Sequence, residues 1–210
     1  IRLVVMDMDS TLICIECIDE IADMYGLKPQ VAEITASAMR GEIEFAESLR
    51  RRVALLQGLN QGALQRVYDE RLRLNPGAEF MLGELKKNGI RTLLVSGGFT
   101  FFTDRLKQRL GLDYTQANTL EIVDGQLTGK ALGTILDAQG KADSLNLVRQ
   151  ELGLSKEQVV AIGDGANDLK MMAAAGAGIA YHAKPVVQAQ ATYALNHVGL
   201  EGVINLLRRP

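Results

Sequence analysis

The sequence predicts an α/β protein: a Rossmann-like parallel sheet core with a helical cap domain inserted after the first strand. Three observations predict it. Short apolar, β-rich runs alternate with helical patterns along most of the chain. One long stretch after the first run carries helical patterns only. The segments just past several runs are polar and small, as in Ser96-Gly97-Gly98. Open parallel sheets bind ligands at such carboxyl ends.

The elements follow in order. Residues 3–6 are an apolar run of strand length, reading as buried on both faces. Similar runs occupy 92–95, 159–162, 178–180 and 192–195. Helical patterns occupy 79–88, 100–110, 141–152 and 168–175. Residues 13–75 are predicted as the cap domain, closed by the Asn75-Pro76-Gly77 turn signal. Residues 1–12 and 76–210 then form the α/β catalytic core. Residues 120–134 alternate as a strand pair around Asp124-Gly125, a hairpin dipeptide.

Composition narrows the function classes. The 210 residues carry a net charge of −2, with acid and base interspersed. No basic stripe suggests a nucleic-acid partner. No apolar run reaches the ~18 residues of a membrane span, so no membrane association is expected. Only Cys14 and Cys17 occur, which fits a reducing compartment, and no signal peptide is visible. The expected location is the cytoplasm. The chain opens on Ile1 directly before a strand, which reads as a processed chain or a segment with an upstream domain missing. No pattern fixes an oligomeric state. Cys14 and Cys17 have C-x-x-C spacing but no second pair, and they read as packing on the apolar face of a cap helix.

If the strand ends meet, Asp7, Asp9, Asp164 and Asp168 crowd one site. Two carboxylates about 4 Å apart repel by roughly 4 kcal/mol at an effective dielectric of ~20. Such a group needs protons or a cation. All-oxygen ligands suit magnesium, the usual ion beside a phosphate. Singly, each aspartate reads as a turn or helix cap; at matched strand ends the four read as a site. His182 and His197 stand away from the leading strand ends, and Ser96 lacks a G-x-S-x-G setting. A carboxylate nucleophile remains: Asp7, with Asp9 placed for acid and base work. Lys141, the Ser96 hydroxyl and N–H groups near Gly97 could neutralise a transferring phosphoryl group.

Asp7-Met8-Asp9-Ser10-Thr11 resembles the D-x-D-x-T signature of the haloacid dehalogenase-like phosphatases. Ser96-Gly97-Gly98 resembles their second motif, Lys141 their third, and Gly163-Asp164-Gly165-Ala166-Asn167-Asp168 their fourth. More narrowly, residues 6–16, 45–56 and 96–99 resemble the phosphoserine phosphatase family. The resemblance implies Asp7 as nucleophile and Asp9 as acid/base. It implies magnesium on Asp7, the Asp9 carbonyl oxygen and Asp164, supported by Asp168. It implies Ser96, Gly97, Lys141 and Asn167 around the phosphate, Glu16 and Arg52 at the amino-acid end, and Met39 and Phe45 shaping the pocket.

One part of that set has separate support. At about 100° per residue, Phe45, Leu49, Val53, Leu55 and Leu56 form one apolar stripe, and Arg52 falls inside it. An arginine there needs a carboxylate, either internal or from a ligand. Glu16 shares a polar face with Asp19, Glu20 and Asp23, and periodicity does not choose among them. The expected activity is phosphoserine hydrolysis. Alternatives are phosphotransfer to an alcohol such as homoserine, action on another small phosphomonoester, or a silent binding module.

Overall fold

The computed structural model describes residues 1–207. Strand β1 (Leu3–Met6) is buried along its whole length. Its side chains alternate between two cores: Val4 and Met6 enter one, Leu3 and Val5 the other. Both faces are therefore covered, as a central parallel strand requires.

Helices α1 (Cys17–Met24), α2 (Lys28–Met39), α3 (Phe45–Ala54) and α4 (Gly62–Arg66) follow before the sheet resumes. The chain continues through α5 (Ala78–Lys87), β2 (Arg91–Phe99), α6 (Thr100–Leu110), β3 (Tyr114–Val123) and β4 (Gln126–Leu132). It ends with α7 (Ala138–Glu151), β5 (Val159–Gly163), α8 (Leu169–Ala174), β6 (Ala177–Tyr181), α9 (Pro185–Gln188), β7 (Tyr193–Leu195) and α10 (Glu201–Leu207). The strand order is β4-β3-β2-β1-β5-β6-β7. All neighbours pair in parallel except β3 and β4. β1 sits between β2 and β5, so the chain departs to both sides of it. That reversal opens a crevice at the carboxyl ends of these three strands.

Three local readings need correction. The predicted strand at 92–95 is the buried part of a longer one, and the 120–134 pair begins earlier, at Tyr114. The stretch Tyr114-Thr-Gln-Ala-Asn-Thr119 is too polar to read as a strand, yet it pairs in parallel with β2. Cys14 is exposed and precedes α1; only Cys17 is buried on the helix. Ile13 and Cys14 are instead paired with Leu74 and Arg73, so the helix starts only at Cys17.

The helical segment is laced to the sheet domain at two places. Its connectors pair with each other: Ile13 bridges Leu74, Cys14 N–H donates to Arg73 C=O (2.9 Å), and Asn75 N–H donates to Leu12 C=O (3.0 Å). The Asn75 amide also donates to the Thr11 and Ile13 carbonyls, at 2.8 and 3.1 Å. Beyond α3, Gly58 N–H reaches Leu127 C=O (2.8 Å), Leu127 N–H reaches Leu59 C=O (2.8 Å), and Gln61 N–H reaches Gly125 C=O (2.8 Å). The β3–β4 hairpin is thus a docking edge. α2 is least attached, burying only Val31.

Candidate active site

Asp7 leaves the end of β1 still bound to the sheet, its N–H donating to Ile162 C=O of β5 (3.0 Å). The chain then makes one wide, non-helical turn, Met8–Leu12, closed by Ile13 N–H on Met8 C=O (3.0 Å), with Asp9 extended (ψ 137°) and Ser10 in the left-handed region (φ 55°). This turn directs Asp9 back toward the sheet. Met8 N–H donates to Asp7 Oδ1 (2.7 Å) and fixes the carboxylate plane.

Lys141, on the first turns of α7, is the cation of the site. Its Nζ lies 2.8 Å from Asp7 Oδ2 and 2.8 Å from Asp168 Oδ1. All three residues are buried, with 1%, 5% and 0% of their surfaces exposed. Burial opposes the ammonium charge, but Asp168 and Asp7 outweigh it and raise the Lys141 pKa. Asp168 Oδ2 accepts from the N–H groups of Asp164 and Gly165, both at 3.1 Å. A side chain at Gly163 would collide with Asp168, so the glycine lets the loop fold onto β5. Thr11 Oγ1 donates to Asp164 Oδ1 (2.8 Å), tying the first turn to the β5 loop.

Asp7, Asp164 and Asp168 bring carboxylate oxygens within 4.8 Å of one another. Three carboxylates face one ammonium, so excess negative charge remains. Burial, then Asp168, pushes the Asp7 pKa up, with Lys141 opposing. Burial also raises that of Asp164. An all-oxygen donor set with surplus negative charge fits a hard divalent cation.

Asp9 is held apart from this group by the turn. A Cβ added to Gly98 would stand 3.2 Å from Asp9 Oδ2, so the first and second strand ends touch here. Its Oδ1 is buried with no hydrogen-bond partner. Burial first, and Glu16 second, push its pKa to about 8; the nearby Cys17 thiol and N–H act the other way.

The other predicted residues fall unevenly. Ser96 is buried, and its Oγ accepts from Gly98 N–H (2.9 Å). Phe45, at the start of α3, lies over Gly97: a Cβ there would meet the ring at 3.0 Å. Asn167 is half-buried beside Asp164 in the same loop. Glu16 accepts from Ser10 Oγ (2.6 Å). Its surface is exposed, yet enclosure of the carboxylate raises its pKa, aided by Asp164. Arg52 is half-buried, its Nε donating to Ser48 C=O at 3.4 Å. Among the described residues no carboxylate reaches salt-bridge distance of it. Asp19, Glu16 and Asp9 act on it from farther away, and burial lowers its pKa. Met39 is 73% exposed at the end of α2, and the structure does not bring it to the others. His182 and His197 line a separate cavity of about 550 Å³ with Ser10 and Asn75. Sequence reasoning assigned nothing to Thr11 as the partner of Asp164, although Thr11 stands in the D-x-D-x-T motif.

The sheet order and this acidic strand-end site define a class. The model of the haloacid dehalogenase-like hydrolases matches residues 1–176, and the chain belongs to that family. Within it the chain is similar to phosphoserine phosphatases. One from Polaromonas sp. is 52% identical, over 99% of this chain and 90% of that protein. One from Vibrio cholerae is 51% identical, over 98% of this chain and 62% of that longer protein. A solved phospho-aspartyl intermediate analogue of phosphoserine phosphatase superposes with a TM-score of 0.91 at 38% identity, covering 98% of each chain.

The Lys141 pairing makes a stability prediction. In metal-free protein, Lys141→Met leaves Asp7 and Asp168 buried without their cation, which should cost about 3–5 kcal/mol at neutral pH. Burial already raises the Asp7 pKa, and losing Lys141 raises it further. The folded variant then binds protons that the unfolded chain has released, so its stability falls as pH rises above the ordinary carboxylate range. Denaturant titrations at about pH 5 and about pH 8 check this. A variant equally stable at both, relative to the parent, would contradict the pairing.

Proposed function

We propose that the chain hydrolyses O-phospho-L-serine to L-serine and phosphate through an aspartyl-phosphate on Asp7, the last step of serine biosynthesis. The substrate reading is carried by Arg52, half-buried on the inner stripe of α3 without a salt-bridge partner among the described residues. A substrate carboxylate supplies that partner, and Glu16 takes the ammonium. The similarity to phosphoserine phosphatases at about half identity over nearly the full chain supports the same reading.

The chemistry runs in two halves. An Asp7 carboxylate oxygen attacks phosphorus, and the bond to the serine oxygen breaks. Asp9 gives its proton to that oxygen; with a pKa near 8, it carries the proton at neutral pH. Asp9 then takes a proton from the water that attacks the phosphoryl group. The Asp7–phosphorus bond breaks and phosphate leaves. Lys141, the Ser96 hydroxyl, the Gly97 backbone and the Asn167 amide hold phosphoryl oxygens. Magnesium held by Asp7, Asp164 and the Asp9 carbonyl, with Asp168 in support, would supply charge neutralisation.

Residues 13–75 act as the cap over this site. Because its far end is bonded to the β3–β4 hairpin, opening centres on α2 and its neighbours rather than on the whole segment. Closure excludes water during transfer. No described helix is long and apolar enough to cross a membrane. A phosphorylated amino acid as substrate and a cytoplasmic location complete the reading.

Asp7→Asn should lower turnover by about 10³-fold or more and abolish the acid-stable, base-labile phosphoenzyme. Labelled phosphate retained on the purified variant would refute the nucleophile. Chelation should remove activity, and magnesium should restore it where calcium does so poorly, because calcium prefers more ligands and looser geometry. Full turnover after exhaustive chelation would rule the metal out. Arg52→Ala should weaken phosphoserine binding by about 2–5 kcal/mol, read as a raised KM. Phosphoethanolamine, which lacks the carboxylate, should be far less affected. Equal losses for the two substrates would make Arg52 structural.

A further inference from the structure

We propose that Asn118 is a positioning residue that locks the Ser96-Gly97-Gly98 loop to the start of the Lys141 helix. The inference rests on the reaction proposed above, which places phosphate between those two elements.

The sheet itself leaves this loop unsupported. β2 and β3 are in register at Val95 and Gln116, and again at Phe99 and Asn118. Three residues of β2 therefore stand against Ala117 alone, and the ladder cannot pair their backbone. Two side chains replace it. Ser96 Oγ accepts from Gly98 N–H at 2.9 Å. Asn118 Nδ2 donates to Gly97 C=O at 2.8 Å. That bond fixes the plane of the Gly97–Gly98 peptide, and with it the direction of the Gly98 N–H.

The other end of the same carboxamide faces the next motif. Asn118 Oδ1 accepts from Leu136 N–H at 2.7 Å. Leu136 precedes Asp137, whose carboxylate caps α7 through Gly140 N–H (2.9 Å) and whose carbonyl accepts from Lys141 N–H (2.9 Å). Hydrogen bonds and the Leu136–Asp137 backbone thus join Gly97 to Lys141 through one side chain, itself 3% exposed. Only a short carboxamide meets both demands, since it offers one donor and one acceptor back to back. Leucine removes both bonds. Aspartate keeps the acceptor for Leu136 but sets an anionic oxygen against the Gly97 carbonyl.

The test uses Asn118→Leu and Asn118→Asp in the full chain. Calorimetry measures the binding of inorganic phosphate in the presence of magnesium, and of magnesium alone. Kinetics with p-nitrophenyl phosphate and with phosphoserine accompany it. Phosphate affinity should fall roughly tenfold or more in both variants, with kcat/KM falling in step for both esters. Magnesium affinity should stay close to the parent value, because Asp7, Asp164 and Asp168 make no bond to Asn118. If leucine prevents folding, the aspartate variant gives the same reading. Parent-like phosphate affinity in a folded variant overturns the proposal, as does joint loss of phosphate and magnesium binding, which marks a general structural defect. An error in the phosphoserine assignment alone would leave the phosphate result intact and appear as weak phosphoserine turnover in the parent.

Discussion

The site depends on one buried ammonium shared by two buried carboxylates. Lys141 reaches Asp7 and Asp168 at equal distances of 2.8 Å, deep under the protein surface. Neither aspartate would be tolerated there as a bare anion. With Asp164 added, negative charge still exceeds positive, so the pocket is polarised toward a cation and, through Lys141, toward an anion. That imbalance suits one small crevice to a hard divalent cation beside an anion. The fold serves it by delivery: β1 brings Asp7, the β5 loop brings Asp164 and Asp168, and α7 brings Lys141.

Holding the parts is as demanding as delivering them. Strand ends are places where ladders stop, so their backbone groups need other partners. Thr11 joins the first turn to Asp164, Asp168 caps its own loop, and Asn118 joins the second motif to the third. Each tie is a short polar side chain, and those of Thr11 and Asn118 cross 153 and 21 residues of sequence. The helical segment is tied in turn: its connectors pair with each other, and its far end is bonded to the β3–β4 hairpin. Between those two ties lies α2, the helix of this segment that buries least, only Val31.

Much of this was legible in the sequence because it is local. Apolar runs of strand length marked β1 and β5, and Thr100–Leu110 was read to its bounds as α6. The Asp124-Gly125 dipeptide marked the hairpin, and Asn75-Pro76-Gly77 the return to the sheet. Asp7, Asp9, Asp164 and Asp168 were visible because each follows an apolar run. Arg52 was visible because it interrupts a stripe. The early part of β3 was not legible: a polar strand is stabilised by its pairing with β2, and no local pattern records that. Cys14 was misplaced because its backbone pairs with Arg73, a partner distant in sequence, before α1 begins.

By itself the sequence determined that Asp7, Asp9, Asp164 and Asp168 stand just past the ends of strands, since alternation and turn residues act over short spans. The tertiary structure alone decided their partners. Lys141 meets Asp168 across 27 residues, Thr11 meets Asp164 across 153, and Asn118 meets Gly97 across 21. It also set Met39 in solvent and Phe45 over Gly97, although both were assigned to one pocket. The reason is physical. Local propensity fixes the backbone of a turn or helix, but a buried charge is balanced only by whichever group the strand order brings beside it.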